Sequence, residues 1–509
     1  MKNRTKLKSN ILWITLDHVT FHQYKHMSGS LPVLKTYQSL CERGIEFTNC
    51  KSVHPLCGPA RACMLSGLYT HKHKNYRNEK GLADQDIPLI DVYLKKHGYK
   101  MALLGKNHSG YEDLRHRGID CINFSTYGSE NNRINDEYGN PYMTPEYANY
   151  LKRNGLGKPI YHQEWHTESF GKFPDQDYDL TETDNFNSFT CGTLEPEKVH
   201  EVDFLIDEAK MWLEKNKENP FVLRLDTWGP HHAYQVPSDF ADRFINAEEI
   251  ELPQSFSMDT SKRPGFSQTF LQKMKEIIRL DTKNEWQHIL KRAYESYSYI
   301  DMRLGELIEW LKEAGLGDRT AILFTADHGD GIATKGGIFD KCGDMQEELM
   351  EIPMVIYSPW MEGGRKNNSL TSNLDVVPTI LDLLDLVVPD HMDGISLKAL
   401  AEGKIPERKA LMCEHYGHME NYYSQRALYS EGYKYIWTED NPEQLFQISK
   451  DPFELNDLAQ EPQMEERLGR MKELLRQEQK RYHDDEPVRQ MRDKNGGRLT
   501  VDSKLRSEF

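Results

Sequence analysis

The stretch Leu56-Cys57-Gly58-Pro59-Ala60-Arg61 carries a nucleophile-type side chain and a fixed positive charge within one turn of a tight entry into a helix. Pro59 falls near the first turn, and helix amino termini attract anions. Four apolar runs elsewhere each end on ionisable side chains. Residues 11–16 end on Asp17, and residues 101–104 lead to Lys106 and His108. Residues 221–225 lead to Asp226 and His231, and residues 321–325 to Asp327 and His328. Carboxylates brought together from different strand ends repel unless a cation joins them. An oxygen-rich set without a thiolate cluster suits a hard divalent ion better than zinc.

The runs that must position these side chains are continuous and of strand length, the pattern of strands buried on both faces of a sheet. Helical segments alternate with them, one over residues 88–97 that ends at Gly98 and another from about Gln287 to Ala314, stopped by Gly315 and Gly317. Strands alternating with helices predict an α/β class with a large, mostly parallel sheet sandwiched by helices. Ligands then bind beyond the carboxyl ends of the strands, so the polar residues converge on one cleft. Residues from about 109 to 198 show no sustained periodicity and are expected to form an irregular insertion near the cleft mouth. After a helix-like stretch over 374–386, short aromatic strands such as Tyr433-Lys434-Tyr435-Ile436-Trp437 begin. The expected division is a catalytic domain over 1–405, a smaller α+β domain on an antiparallel sheet over 406–485, and a charged tail over 486–509. That tail is either disordered or an arm that docks on another subunit.

Composition narrows the partners. The chain of 509 residues is 38% hydrophobic and 28% charged, as soluble globular proteins are, and has no apolar run long enough to span a bilayer. The stretch of residues 11–16 is too short for a secretion signal, so a complete chain would stay in the cytoplasm. A net charge of −16 with mixed signs along the chain disfavours nucleic acid, and an anionic substrate needs a local positive pocket. The eight cysteines lack the paired short spacing of a zinc site, and free thiols are the reading for all but Cys57.

With Leu65-Ser66-Gly67 downstream, Cys57-x-Pro59-x-Arg61 resembles the signature of the formylglycine-dependent sulfatases of the alkaline phosphatase-like superfamily. The resemblance implies that a maturation enzyme oxidises Cys57 to formylglycine. The hydrated aldehyde then offers one hydroxyl to attack sulfur and a second to expel sulfate. Gly105-Lys106-Asn107-His108 is similar to the family element in which the lysine neutralises a sulfate oxygen and the histidine acts as base. Pro230-His231 resembles the element that serves the leaving-group oxygen, His231 being preferred over His232. Asp17 and Asp327-His328-Gly329 resemble the metal-binding elements, which implies a metal set of Asp17, Cys57, Asp327 and His328 around calcium, with magnesium or manganese as the alternatives. Many relatives have a second Asp where this chain has His18. Lys341 resembles the lysine that contacts the sulfate and leaving-group oxygens, with Lys335 as its competitor. The match continues through residues 374–379 and 444–459.

Assembled in this way, the metal, Lys106, Lys341 and Arg61 hold an anionic ester and the charge that grows on it. The implied substrate is a small sulfated mono- or oligosaccharide, with residues 77–79 as candidates to recognise hydroxyls. The nearest rival is a phosphonate monoester or phosphodiester hydrolase of the same superfamily, whose pocket Asn78 and Tyr69 would also suit. Lys106 and His108 favour sulfate. A relative that binds anions or sugars without turnover is the second alternative.

Overall fold

The computed structural model describes residues 8–78, 84, 86–111, 114–122, 140–166, 177–182, 189–260, 280, 282–338, 340–341, 344–417 and 423–484. The expected tail over 486–509 and Glu79 lie outside them.

Asn10–Leu16 is buried at every position and occupies the middle of an eight-stranded sheet. It pairs in parallel with Thr320–Ala326 on one side and Phe221–Asp226 on the other. Lys100–Gly105 and Asp120–Ile122 extend the parallel run past Phe221–Asp226. On the far side Met354–Tyr357 is antiparallel to both neighbours, Thr320–Ala326 and Ile45–Phe47, and Arg365–Asn367 closes the edge. The apolar runs read as doubly buried strands for this reason: helices cover both faces, and Ile11, Leu12, Trp13, Leu103, Val222, Leu223, Leu323 and Phe324 form one core with the helices' inner faces.

Register decides where the chemistry falls. Leu16 lies level with Ala326, while Thr15 and Gly105 each lie level with Asp226. Four adjacent strands therefore stop at one height, and Asp327, Asp17, Asp226 and Lys106 emerge side by side. Gly105 makes the tightest of these exits. Its φ is +97°, and a Cβ there would stand 1.8 Å from the Asp226 carbonyl oxygen, so no other residue fits.

The long helix runs Lys283–Glu313, four residues earlier at its start than the periodicity suggests, because Thr282 and Glu285 form a reciprocal cap. Residues 109–198 correct the expectation of an irregular insertion. Within the described part, Pro145–Asn154 is a helix, and Ile160–His166, Asp177–Asp179 and Phe189–Glu195 join Tyr234–Pro237 in a second, four-stranded sheet. Its two long strands, Ile160–His166 and Phe189–Glu195, mix polar with apolar residues, and their pairing shifts register after Gln163, so no clean period accumulates along the sequence. Cys191 and Tyr234 are buried with Ile289, Leu290 and Tyr294 of the long helix, a contact the local sequence does not announce. Leu411–His415, Gln425–Ser430, Tyr433–Thr438 and Gln444–Phe446 form an antiparallel sheet near the carboxyl terminus. The helix Glu465–Tyr482 packs on it through Met471 and Leu475. Among the described residues no helix is long and apolar enough to cross a membrane.

Candidate active site

Cys57 is the first residue of a fully buried helix, Cys57–Ser66, which ends at Gly67 in the left-handed conformation. Gly58 N–H donates to Asn78 Oδ1 at 2.9 Å, which fixes the entry. The thiol points at the strand ends: Cys57 Sγ lies 3.0 Å from His328 Nε2 and 3.5 Å from Asp17 Oδ1. His328 Nε2 is 3.9 Å from both Asp17 Oδ1 and Asp327 Oδ1. His328 Nδ1 faces the Gly329 carbonyl oxygen at 2.8 Å, and a carbonyl only accepts, so Nδ1 carries the proton and Nε2 presents its lone pair to the cluster. Burial holds this imidazole down at about 4, against the pull of Asp327.

Asp17, Cys57, Asp327 and His328 thus offer ligand atoms all within 4.8 Å of one another, every one of them buried. Two carboxylate oxygens and a neutral imidazole nitrogen around one point are a donor set for a divalent cation, and the cysteine sulfur stands where a converted residue 57 would present oxygen. The residues fit a metal.

Cations hold the outer oxygens of the same carboxylates. Arg61 Nε donates to Asp327 Oδ2 at 2.8 Å, and its Nη1 donates to the Lys106 carbonyl at 2.9 Å and to Asp226 Oδ2 at 3.2 Å. Lys106 Nζ donates to Asp17 Oδ2. Burial alone would raise the Asp17 carboxyl, yet Lys106 and Arg61 hold it well below the usual carboxylate range. Asp226 is raised by burial, although Arg224 stands 2.7 Å away and stacks on Trp13.

The remaining predicted residues surround this centre. His108 Nε2 lies 3.3 Å from the Asn78 carbonyl oxygen, so that nitrogen carries the proton and Nδ1 is the basic one. His231 Nδ1 donates to the His232 carbonyl at 2.6 Å, leaving Nε2 to accept from Lys341 Nζ at 3.2 Å. Burial first, then neighbouring positive groups, push both His108 and His231 well below the ordinary imidazole value, so both rings are neutral at pH 7. His232 lies beside His231 with ring centroids 4.2 Å apart and the planes tilted by 37°. Lys335 is elsewhere: its ammonium donates to the Phe453 carbonyl at 2.8 Å and faces Glu454 at 3.3 Å. Tyr69, expected at the pocket, packs instead on Tyr482 at 4.7 Å, because its ring is buried beneath the carboxyl-terminal helix. His18 is not one of the four: its ring lies 5.0 Å from that of His328 and its nitrogens face Asp330 and Lys341, while its main-chain N–H donates to Asp327 Oδ1 at 3.2 Å.

Four participants were not assigned from sequence. Asn373 Nδ2 donates to the Asp327 carbonyl at 3.1 Å, and nothing in its local pattern marks it. Asp226 and Arg224 carry a visible signal, two charges in an otherwise apolar buried strand. Glu201, at the start of the helix Glu201–Asn216, accepts from Gly229 N–H at 3.0 Å and so anchors the turn that bears His231.

Burial pushes the Glu201 carboxyl up from 4.5 to about 8. Below the lower value both folded and unfolded chains hold this proton; between the two values only the folded chain does. Folding stability from this group therefore falls as pH rises across that window and is level above it. Glu201→Gln mimics the protonated acid. Urea unfolding at about pH 5 and about pH 9 should show the variant gaining on the wild type only at the higher pH. Equal differences at both would mean that Glu201 is ionised throughout.

A mostly parallel sheet sandwiched by helices, with a charged cluster beyond its strand ends, is the alkaline phosphatase-like hydrolase arrangement. The family model described as Sulfatase matches residues 9–386, and one described as N-sulphoglucosamine sulphohydrolase, C-terminal, matches residues 335–481. The chain belongs to the sulfatase family, whose members hydrolyse sulfate esters and generally use a metal and formylglycine. It is 27% identical over 463 residues to the choline-sulfatase of Rhizobium meliloti, covering 89% of this chain and 83% of that protein. It is 24% identical over 520 residues to the N-acetylglucosamine-6-O-sulfatase of Bacteroides thetaiotaomicron, covering 96% and 88%. The solved phosphonate monoester hydrolase from Silicibacter pomeroyi superposes with a TM-score of 0.73 at 20% identity, over 93% of this chain and 96% of that one. At that identity the likeness speaks for the fold alone.

Proposed function

We propose that this sulfatase cleaves the sulfate ester of a small sulfated sugar, using formylglycine formed from Cys57 and a divalent cation, calcium first, held by Asp17, Asp327, His328 and residue 57. The observation that carries this reading is the enclosure of Cys57 by His328 and Asp17, with Lys106 and Arg61 on the outer oxygens of the carboxylates. The cation supplies charge to polarise the ester and hold the nucleophile, and the hydrated aldehyde supplies two hydroxyls. The chain's own residues do the rest. Lys106 neutralises a sulfate oxygen from its place beside Asp17. Arg61 ties Asp327, Asp226 and the Lys106 main chain into one rigid unit, so the donors need no reorganisation as charge develops. His108, neutral and basic at Nδ1, takes the proton that releases sulfate. His231 and Lys341 face the oxygen that leaves.

An amino sugar is the favoured leaving group. A relative aligned over 96% of this chain is named for N-acetylglucosamine 6-O-sulfate hydrolysis, and the carboxyl-terminal match carries the name of an N-sulphoglucosamine enzyme. We assign residues 1–405 to a catalytic domain and 406–485 to a smaller one. A phosphonate or phosphodiester hydrolase is the second reading, since the buried cations Arg61, Lys106 and Lys341 would suit a phosphorus ester as well as a sulfate. A panel of glucosamine sulfates, choline sulfate, an aryl sulfate, a phenyl phosphonate and a phosphodiester separates them. Sulfated amino sugars should show the highest kcat/KM; a phosphorus ester turning over fastest overturns the proposal.

A further inference from the structure

His18, His231, His232 and Asp340 bring ligand-type atoms within 4.8 Å of one another, which invites a second metal. Lys341 already fills that cup. Its Nζ lies 2.8 Å from Asp340 Oδ1, 3.2 Å from His231 Nε2 and 3.4 Å from His18 Nδ1, so three acceptors face one ammonium. Behind His18 stands Asp330, whose Oδ1 is 3.2 Å from His18 Nε2. Asp330 is itself immobile: Tyr234 Oη donates to its Oδ2 at 2.6 Å and Ile332 N–H to its Oδ1 at 2.9 Å. Asp330, His18 and Lys341 are all buried.

We propose that Asp330 and His18 form a positioning pair that aims the Lys341 ammonium at the leaving-group oxygen. Asp340 Oδ1 also lies 3.4 Å from Nδ1, but Lys341 Nζ stands 2.8 Å from that oxygen, so the carboxylate at Nε2 and the ammonium at Nδ1 together favour the imidazole tautomer with its proton on Nε2 and a lone pair turned to the ammonium. The lysine is a point charge on a flexible stem, and such a group needs acceptors on more than one side to stand still. His18 takes the left-handed backbone with φ 62°, a region that Asn, Asp and His enter more readily than other side chains. The histidine at this position thus serves the leaving group and not the metal.

The inference rests on the sulfatase reading of the site. When the S–O bond breaks, the leaving oxygen keeps the electron pair, and the Lys341 ammonium donates a hydrogen bond to it. Misaiming that donor costs most when the leaving group is a poor one. The test is a series of aryl sulfates of graded leaving-group acidity, with kcat/KM measured for the matured wild type, His18→Asn, His18→Leu and Asp330→Asn. His18→Leu and Asp330→Asn should lose about tenfold more on the poorest leaving group than on the best, steepening the dependence. His18→Asn keeps an acceptor in a backbone region it tolerates and should stay within about threefold of wild type across the series. Should His18→Leu fail to fold, Asp330→Asn carries the same slope readout.

Losses that are uniform across the series overturn the inference, as does His18→Asn behaving like His18→Leu. Two divalent ions per chain by elemental analysis would put a metal where we put the ammonium. A matured wild type inactive on every sulfate ester overturns the sulfatase reading itself, and this inference with it, whereas active wild type with unchanged slopes overturns this inference alone.

Discussion

Cys57→Ala protein, and wild-type protein whose thiol has escaped conversion, should both lack steady turnover of a sulfate ester, a fall of about 10⁴-fold or more. The reason is stoichiometric as well as kinetic. A thiol has a single nucleophilic atom and no second hydroxyl with which to expel what it has accepted, so even a successful attack ends after one event. Burial, with Asp17 adding to it, pushes this thiol up to about 12, which makes the attack itself slow. The surroundings do not supply a substitute: Asp17, Asp327 and His328 crowd ligand-type atoms within 4.8 Å of the sulfur and offer no second nucleophile. The check is to express the chain with graded amounts of the maturation enzyme. The aldehyde fraction of the peptide around residue 57, measured by mass spectrometry, is then plotted against activity. A line through the origin is expected; activity in material without aldehyde would remove the nucleophile from the mechanism.

Arg61→Leu should destabilise the metal-free protein by about 3–5 kcal/mol, the usual cost of stranding buried charge. Arg61 faces Asp327, Asp226 and Asp17 at 2.8, 3.2 and 3.7 Å, and all four side chains are fully buried. Its removal leaves three carboxylates sharing Lys106 and Arg224 as compensating cations. Urea unfolding in the presence of a chelator reads the loss directly. Saturating calcium should recover part of it, because a cation between Asp17 and Asp327 replaces some of the missing charge. Arg61→Lys should fall between the two, since one ammonium cannot span Nε and Nη1 partners at once. A loss below about 1 kcal/mol in chelator would mean that the carboxylates take up protons instead and that the network is not a charge lattice.

Much of the site was legible because its parts sit where local rules are strong. A continuous apolar run that ends on Asp17, or on Asp327 and His328, announces a doubly buried strand and places a polar residue at its carboxyl end. The helix that begins at Cys57 is announced by Pro59, and the match of Cys57, Pro59 and Arg61 to the sulfatase signature is short-range information. What was not legible depends on partners distant in the chain. Tyr69 lies a few residues past the signature, yet it goes to Tyr482, hundreds of positions away, because packing beneath a helix has no local marker. The second sheet went unread for the same reason. Its longer strands mix polar with apolar residues and so build no clean period, and Cys191 and Tyr234 find their cover on the helix Lys283–Glu313.

By itself, then, the sequence determined the α/β class, the family and the identity of the residue types gathered at the strand ends, since hydrophobic period and short motifs are properties of neighbouring residues. Only the tertiary structure decided which oxygen of each carboxylate faces the metal-ligand cluster and which faces Lys106 or Arg61. It also set the His18 imidazole between Asp330 and Lys341. Those choices are set by register between strands and by charge compensation across the sheet, and both act between residues that the chain itself keeps tens to hundreds of positions apart.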